Sequence, residues 1–303
     1  MVVQQRLYGC AIGAVIGDAL GMPLEFGPPS PEGQFVRQMR AGRLPAGSFT
    51  DDTEMALALA ESLADQRPLD PVDLTKRFVA WRETNPPDIG IHTRSILGRI
   101  AQGESWREVE DQFLKTGSDN AGNGSVMRCW PVAVAWRDHQ EELIQDSQLQ
   151  SRVTHAHPDC LAASVFTNLA ISQFIEGNSI DSGLAYALSH TPALSKDFKA
   201  VINSAPRRSR SELKNSGWVR HTIESAVWAL LNFNSFAETV IQVVNLGNDA
   251  DTAGTVVGAM AGAYYGLQSI PNDWLNELQG QWPVGSTSTW SAKEICSLVD
   301  QLI

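Results

Sequence analysis

Two short acidic segments stand out as candidates for metal binding. The first reads Thr50-Asp51-Asp52-Thr53 and the second reads Asn248-Asp249-Ala250-Asp251-Thr252, and each directly precedes an apolar, helix-forming run. If they meet in the folded protein, their four carboxylates and several hydroxyls would offer only oxygen ligands. Hard divalent cations such as Mg²⁺ or Mn²⁺ accept that ligand set, whereas it does not suit zinc or copper. We therefore predict a metal-dependent enzyme whose site is assembled from both ends of the sequence.

Helix capping is the alternative function for each segment. Thr50 or Asp51 could be an N-cap, and Asp251 could cap a later helix, because helix N-termini favour these side chains. A cap uses one acid, however, and each segment contains two. The second acid in each segment favours a dinuclear site for hard metal ions, in which N–H groups at the helix starts hold the carboxylates ionised and oriented.

A small flexible loop could bind an anion. In the segment from Gly122 to Arg128, backbone N–H groups could contact a phosphate, with Ser125 as a further donor and Arg128 as a charge. An ordinary glycine turn is the alternative. His155, in a His-Ala-His-Pro sequence, could bind an anionic substrate group or make hydrogen bonds in the core.

Other candidates are single residues. Glu25 follows Pro23 beyond a glycine-rich segment, and beside a metal cluster it could activate water or add a ligand. Otherwise it is a surface acid in a loop. Asp88 and His92 are weaker candidates. Trp218 could stack on a base, although a core position is the plainer interpretation in a chain with nine tryptophans.

Glycine periodicity identifies the two helices that must position the acids. Residues four apart share a helix face, so each segment would expose a groove of bare backbone. Each helical glycine costs roughly 1 kcal/mol, which close approach of another helix would offset. We predict two central helices, one ending near residues 18–25 and one beginning at Thr252. The repeating glycines are Gly9, Gly13, Gly17 and Gly21 in the first and Gly254, Gly258, Gly262 and Gly266 in the second.

Helical periodicity over most of the chain predicts an all-α fold, because strictly alternating strand patterns are scarce. No Gly/Ser linker divides the 303 residues, and 43% apolar content can form a large core, so we predict a single domain over residues 1–303. Apolar positions repeat at helical spacing in residues 72–84, 161–176, 226–232, 236–246 and 292–303.

Composition argues against several classes of protein. A net charge of −11 disfavours a nucleic-acid binder, which should carry a basic surface. Four dispersed cysteines without a C-x-x-C pair predict neither a disulfide framework nor a zinc knuckle, and favour a cytoplasmic setting. The apolar segments 7–17 and 252–267 fall short of a signal peptide and a membrane span, so we expect neither.

Taken in order, these motifs resemble the ADP-ribosylglycohydrolase family over nearly the whole chain. The resemblance implies an orthogonal multi-helix bundle with two Mg²⁺ or Mn²⁺ ions at its centre. The implied reaction is hydrolysis of the bond between C1 of the distal ribose of ADP-ribose and a protein side chain or small acceptor. The segments that carry the resemblance are residues 13–25, 49–53, 123–128, 155–158 and 248–254.

The resemblance also implies a role for individual residues. Acids in the metal cluster could stabilise positive charge at the anomeric carbon. Glu25, Asp51 and Asp251 are the predicted catalytic residues. One ion would be held by Thr50, Asp51 and Asp52, the other by Asp249, Asp251 and Thr252, with Asp251 as the bridge. The diphosphate and distal ribose would be held by Asn123, Gly124, Ser125, Met127 and His155.

Some features leave the substrate open. Some relatives carry an acid just after the glycine that corresponds to Gly90, where this chain has Ile91 and His92, so arginine is not fixed as the acceptor. A catalytically silent relative acting as a binding, structural or immunity protein is the alternative, and another metallohydrolase such as a phosphatase is a third. Retention of all four acids favours the enzyme. We expect a monomer that acts on an ADP-ribosylated protein or an ADP-ribose-containing small molecule.

Overall fold

Fifteen α-helices, four short 3₁₀ helices and two very short strands make up the regular structure of residues 2–303, the part of the chain that the computed structural model describes. The predicted all-α class is confirmed. The strands β1 (Gly280–Gln281) and β2 (Thr289–Trp290) pair antiparallel near the C-terminus. The helices are α1 (Val2–Gly21), α2 (Asp51–Asp65), α3 (Pro71–Glu83), α4 (Ile91–Ala101), α5 (Trp106–Thr116), α6 (Trp130–Ala135), α7 (Gln140–Arg152), α8 (Pro158–Glu176), α9 (Ile180–His190), α10 (Lys196–Ser204), α11 (Val219–Asn232), α12 (Phe236–Val244), α13 (Ala250–Tyr265), α14 (Asn272–Glu277) and α15 (Ala292–Val299).

The two glycine-striped helices pack against each other in opposite directions. A Cβ atom added to Gly17 would lie 1.9 Å from the carbonyl oxygen of Gly254, and one added to Gly13 would lie 2.2 Å from that of Gly258. The predicted close approach is therefore confirmed, and α1 and α13 are each other's partner. No larger residue fits at these crossings without moving a backbone. The facing pairs are Gly9 with Gly262, Gly13 with Gly258 and Gly17 with Gly254.

Helix α1 is apolar because it lies in the core. With the short turn that follows it, it is long and apolar enough to cross a membrane, but 89% of its most apolar 18-residue window is buried. Core helices of soluble proteins share this property, and packing against α13 accounts for the composition.

Several helix ends differ slightly from prediction. α13 begins at Ala250, two residues before Thr252, and ends at Tyr265. Gly266 is therefore not part of the stripe within the helix, because its positive φ of 80° ends the helix. The helices predicted over residues 236–246 and 292–303 end earlier, at Val244 and Val299.

An irregular segment, residues 25–50, joins the end of α1 to α2 and is fixed by the buried side chain of Asn245. Asn245 Oδ1 accepts a hydrogen bond from the Val36 N–H (2.8 Å), and its Nδ2 donates to the Val36 carbonyl (2.9 Å). Trp274 Nε1 donates to the Arg37 carbonyl at 3.1 Å. These bonds hold the segment across the ends of α12 and α14, which places Arg43 beside the acidic residues.

Candidate active site

The two acidic segments meet at the centre of the protein. Thr252 Oγ1 lies 3.4 Å from Asp52 Oδ2, although the two residues are separated by 200 positions in sequence. Carboxylate oxygens of Asp18, Asp52 and Asp251 lie within 4.8 Å of one another. A second group of the same size contains Glu25, Asp88 and Asp251, so Asp251 belongs to both groups.

Asp18 anchors the start of α2 and was missed as a site residue by sequence reasoning. Its Oδ2 accepts hydrogen bonds from the Thr50 N–H (2.9 Å) and from Thr53 Oγ1 (2.6 Å). Its Oδ1 accepts from Thr50 Oγ1 at 2.8 Å. Asp18 therefore satisfies the N-terminus of α2 from a different helix. The signal that could have found it is an isolated acid within an apolar, glycine-striped helix.

The capping alternative is not what the structure shows for the acids. Thr50 is at the N-cap position of α2 and Asp249 at that of α13, yet neither makes a side-chain cap hydrogen bond to residues 2–303. Asp249 Oδ2 accepts instead from Asn123 Nδ2 at 2.7 Å. Asp251 lies within the first turn, with its Oδ1 accepting from the Thr252 N–H at 2.9 Å. The acids therefore do not serve mainly as helix caps.

The donor set fits a hard divalent cation. Asp52 Oδ1 is fully buried and has no hydrogen-bond partner among residues 2–303. A buried carboxylate oxygen without a partner is costly unless a positive charge or a donor satisfies it. Together with the nearby carboxylate and threonine oxygens, it forms an all-oxygen environment suited to Mg²⁺ or Mn²⁺.

Mutual repulsion and burial make this cluster bind protons strongly when no cation is present. Burial, reinforced by the charge of Asp251, raises the pKa of Asp18 to about 7. The same two causes raise the pKa of Asp249 to about 7. Burial and the neighbouring acids also raise the pKa values of Asp51 and Asp52 well above the ordinary range. The site therefore requires positive charge, from protons or from metal ions.

Arg43 supplies positive charge at one edge of the cluster. Its guanidinium contacts the carboxylates of Glu25 and Asp88 and lies 3.2 Å from Asp251 Oδ2. Burial, followed by the charges of Asp251 and Asp88, raises the pKa of Glu25 to about 10, and Arg43 opposes this shift. No sequence motif pointed to Arg43, because it is one of three arginines, with Arg37 and Arg40, in an irregular segment.

A cavity of about 600 Å³ opens over the acidic cluster. The weaker candidates Asp88 and His92 line it as well. Thr50 lies beneath the cavity, 1% exposed, rather than in its wall. Of the predicted site residues, the lining includes Glu25, Asp51, Asp52, Asn123, Gly124, Met127, His155, Asp249, Asp251 and Thr252.

The glycine loop faces this cavity through its backbone. The N–H groups of Gly124 and Ser125 have no acceptor within the described part of the chain. Gly124 lines the cavity, so its N–H could donate to an anion there, whereas Ser125 is 0% exposed and does not line the cavity. Met127 also lines the cavity.

The side chains of Ser125 and Arg128 are not available for the roles predicted for them. Ser125 is 0% exposed and its Oγ accepts from Ser151 Oγ at 2.8 Å. Arg128 is also 0% exposed and donates to Gln150 and to Thr154 Oγ1. Both side chains instead make hydrogen bonds to α7 and to the residues just after it. The predictions that the Ser125 hydroxyl donates to a phosphate and that Arg128 supplies a charge for it are therefore wrong.

His155 presents a neutral imidazole to the loop. Burial lowers its pKa well below the ordinary value. Thr154 Oγ1 accepts a hydrogen bond from Arg128. The hydroxyl hydrogen of Thr154 has one acceptor among residues 2–303, which is His155 Nδ1 at 2.8 Å from Oγ1. The ring hydrogen is therefore on Nε2, which lies 2.9 Å from where a Cβ of Gly124 would stand. His155 offers an N–H donor beside the anion-binding loop.

Trp218 lies outside the central cavity. It lines an adjacent cavity of about 540 Å³ and is 37% exposed, so it is not a core residue. The Arg220 guanidinium lies 5.1 Å from the centre of its ring. Its neighbours Ser216 and Gly217 do line the central cavity. The predicted base-stacking role would require a substrate that extends from one cavity into the next.

Comparison with known proteins assigns the family. A family model described as ADP-ribosylglycohydrolase matches residues 1–303. The ADP-ribosylarginine hydrolase Tri1 of Serratia proteamaculans (strain 568) is 33% identical over 286 residues, covering 90% of this chain and 75% of the relative. The ADP-ribosyl-dinitrogen reductase glycohydrolase of Rhodospirillum rubrum is 33% identical over 285 residues, covering 91% of each chain.

More distant relatives and a solved structure agree. The ADP-ribosylhydrolase ARH3 of Homo sapiens is 26% identical over 327 residues, covering 91% of this chain and 89% of the relative. A solved structure titled "ADP-ribosylglycohydrolase-related protein complex" superposes with a TM-score of 0.82 at 32% identity, covering 99% of this chain and 97% of that one.

These matches define the class: the chain is an all-α enzyme of the glycohydrolase type. It belongs to the ADP-ribosylglycohydrolase family, as the resemblance of its motifs predicted.

Proposed function

We propose that this protein is a divalent-metal-dependent hydrolase that releases ADP-ribose from a modified protein side chain or a small acceptor. The observation that carries the proposal is the partnerless, buried Oδ1 of Asp52 within a cluster of carboxylates from both ends of the chain. A glycine loop whose Gly124 N–H has no acceptor among residues 2–303 lines the same cavity and could bind an anion. A cation site beside a diphosphate site matches the two parts of an ADP-ribosyl substrate.

The ligand assignment follows the two segments. Bound there, two Mg²⁺ or Mn²⁺ ions would supply Lewis-acid activation of water and orientation of the ribose hydroxyls. Asp18 would position Thr50 through the hydrogen bond between their side chains. One ion would be held by Thr50, Asp51 and Asp52 and the other by Asp249, Asp251 and Thr252, with Asp251 shared.

The protein's own groups perform the remaining tasks. The N–H of Gly124, together with His155 Nε2–H, binds and orients the diphosphate. Asn123 holds Asp249 in place. The carboxylates of the cluster stabilise positive charge that develops at the anomeric carbon. Glu25 lies at the edge of the cluster, and it would accept a proton from the attacking water once the charge of bound cations lowers its raised pKa.

The names of the relatives suggest the order in which acceptors should be tested. The two relatives at 33% identity are named for ADP-ribosylarginine and for dinitrogen reductase. We therefore place an N-glycosidic bond to arginine first and an O-glycosidic bond second. We test both because Ile91, which directly follows Gly90 where the resemblance led us to expect an acid, is 91% exposed and apolar.

Hydrolysis of three defined compounds tests the proposal. ADP-ribosyl-arginine, ADP-ribosyl-serine and O-acetyl-ADP-ribose are each incubated with the protein plus Mg²⁺, Mn²⁺ or EDTA, and free ADP-ribose is measured. We expect release from at least one compound with metal and none with EDTA. Absence of release from all three would favour a catalytically silent binding protein.

A further inference from the structure

Two large apolar side chains are exposed at the mouth of the active-site cavity. Phe26 is 83% exposed and Ile91 is 91% exposed, and both line the cavity. They are the two most exposed large apolar side chains within residues 2–303. Single exposed apolar residues are common on protein surfaces, but two at the entrance to one cavity mark a contact surface.

The backbone holds Phe26 in this exposed position. Its φ of 60° lies in the left-handed region, which costs a non-glycine residue roughly 1–2 kcal/mol. The Phe26 N–H donates to the Asn248 carbonyl at 2.6 Å, and the Asn248 N–H donates to the Gly27 carbonyl at 2.8 Å. Because Asn248 directly precedes Asp249, the exposed ring is fixed relative to the acidic cluster. A strained backbone that keeps an apolar ring in water points to a function.

Phe26 and Ile91 flank the acidic end of the cavity. Phe26 directly follows Glu25, and Ile91 is the third residue after Asp88. Oxygens of Glu25 and Asp88 lie within 4.8 Å of each other, and Arg43 contacts both carboxylates. The chain segments that carry the two apolar side chains therefore converge at the cluster, where the bond to the acceptor would be cleaved.

We propose that Phe26 and Ile91 form an apolar rim that binds the polypeptide of an ADP-ribosylated protein on either side of the modified residue. The inference rests on the proposed function and specifies its substrate class as protein-linked ADP-ribose. A free ADP-ribosyl amino acid has no flanking chain to cover the rim. A protein substrate removes both side chains from water, so it binds more tightly than its small counterpart.

Polar substitutions at the rim test this. Phe26→Asn removes the ring with a residue that tolerates a positive φ, and Ile91→Ser removes the apolar side chain at the exposed first residue of α4. Val72→Ser is the control, because Val72 is 51% exposed in the first turn of α3 and does not line the cavity. Each variant receives a mono-ADP-ribosylated protein and the free ADP-ribosyl amino acid of the same linkage, once with arginine and once with serine.

We expect the Phe26→Asn/Ile91→Ser double variant to lose about tenfold more in kcat/KM on the protein than on the free amino acid, mainly through KM. Val72→Ser should change neither value. Equal losses on both substrates would overturn the inference, because the two residues would then act on ADP-ribose itself. No loss on either substrate would overturn it as well.

A binding measurement separates this inference from the proposed function. Immobilised ADP-ribosylated protein, with its unmodified form as reference, is titrated in Mg²⁺ with the wild-type rim and with the double variant, each also carrying Asp52→Asn so that hydrolysis during the measurement is slow. If wild type cleaves no substrate, the proposed function fails, and the difference in binding between wild type and variant still decides the role of the rim. Equal binding by the two proteins would refute the rim.

Discussion

Individual acids at the centre of this protein are stabilised only in part by the protein itself. Asp18 has four hydrogen-bond donors from Thr50 and Thr53, whereas Asp52 Oδ1 has none among residues 2–303. Asp18 is thus a structural acid that fixes α2. Asp52 is an acid left free for a ligand, and the two can be distinguished by substitution.

Asp52→Asn keeps the shape of the side chain and removes one negative charge from the cluster. We expect divalent-cation binding to weaken and hydrolysis to slow by a factor on the order of 10²–10³. The melting temperature in EDTA should stay the same or rise, because repulsion between buried carboxylates falls. Calorimetric titration with Mn²⁺ and thermal unfolding in EDTA measure the two effects. Asp65→Asn, at the exposed end of the same helix, is the control that should leave Mn²⁺ binding intact.

Arg43→Gln removes the cation that contacts Glu25, Asp88 and Asp251. We expect a loss of about 1–3 kcal/mol of stability in EDTA, a modest value because the arginine side chain is 30% exposed. Mg²⁺ should raise the melting temperature of this variant more than that of wild type, because the ion replaces the missing positive charge. Arg40→Gln, in the same segment but exposed, should behave as wild type. An Arg43→Gln protein as stable as wild type in EDTA would contradict the role assigned to Arg43.

The sequence predicted the acids of the cluster better than their surroundings. Two acids stand at the start of each of two helices, which is more than capping requires. The sequence alone therefore identified these acids as candidate metal ligands. Asp18 is an isolated acid in an apolar, glycine-striped helix, which marks it as unusual but does not identify its role. Arg43 is one of three arginines in an irregular segment, and nothing in the sequence distinguishes it from the other two. Ser125 and Arg128 matched an anion-binding sequence, but only the three-dimensional packing against α7 shows that both side chains face inward.

At the level of helices, the pairing of α1 with α13 sets the distance between the two halves of the site. The carbonyl of Gly254 lies against the backbone of Gly17. Gly17 immediately precedes Asp18 in sequence, and Gly254 follows Asp251 by about one helical turn. Any separation of the two helices would therefore move Asp18 away from Asp251. The sequence shows each glycine stripe as a repeat every four residues. It does not show that the two stripes pack against each other, because such a repeat specifies a helix face and not the neighbour of that face.

Gly17→Ala should separate the two helices. A Cβ at Gly17 would stand 1.9 Å from a backbone oxygen, which cannot rotate away, so we expect a loss of about 1–3 kcal/mol or more together with weaker Mn²⁺ binding. Gly98→Ala in α4 is the matched control. Its new Cβ would meet only the flexible end of Arg82 at 3.1 Å, and we expect a change within about 1 kcal/mol. Urea unfolding and Mn²⁺ titration measure both variants. Equal effects of the two substitutions would show that the spacing of α1 and α13 is not critical.

For the entire protein, the buried cluster links stability to pH. The folded-state pKa values of Asp18 and Asp249, about 7 each, lie above the ordinary value of about 3.9. Folding therefore favours their protonated forms. The stability that they contribute is complete below about pH 4 and is lost as the pH rises through about 7.

In EDTA we accordingly expect the melting temperature to fall between about pH 5 and about pH 8. Saturating Mg²⁺ should reduce this fall, and the affinity for Mg²⁺ should rise with pH because the ion must displace the bound protons. Asp249→Asn should flatten part of the decline in EDTA. Thermal unfolding across this range measures the effect, and an identical slope with and without Mg²⁺ would contradict it.

The antiparallel contact of the first and thirteenth helices also has a consequence during biosynthesis. A ribosome-bound chain that has not reached residue 249 contains α1 and α2 but lacks Asp249, Asp251 and the glycine-lined surface of α13 that face them. Cation loading at the cluster must therefore wait until α13 has been synthesised. Until then α1, a long apolar helix that is largely buried in the finished fold, lacks its main packing partner, so we expect chaperones to engage it during synthesis.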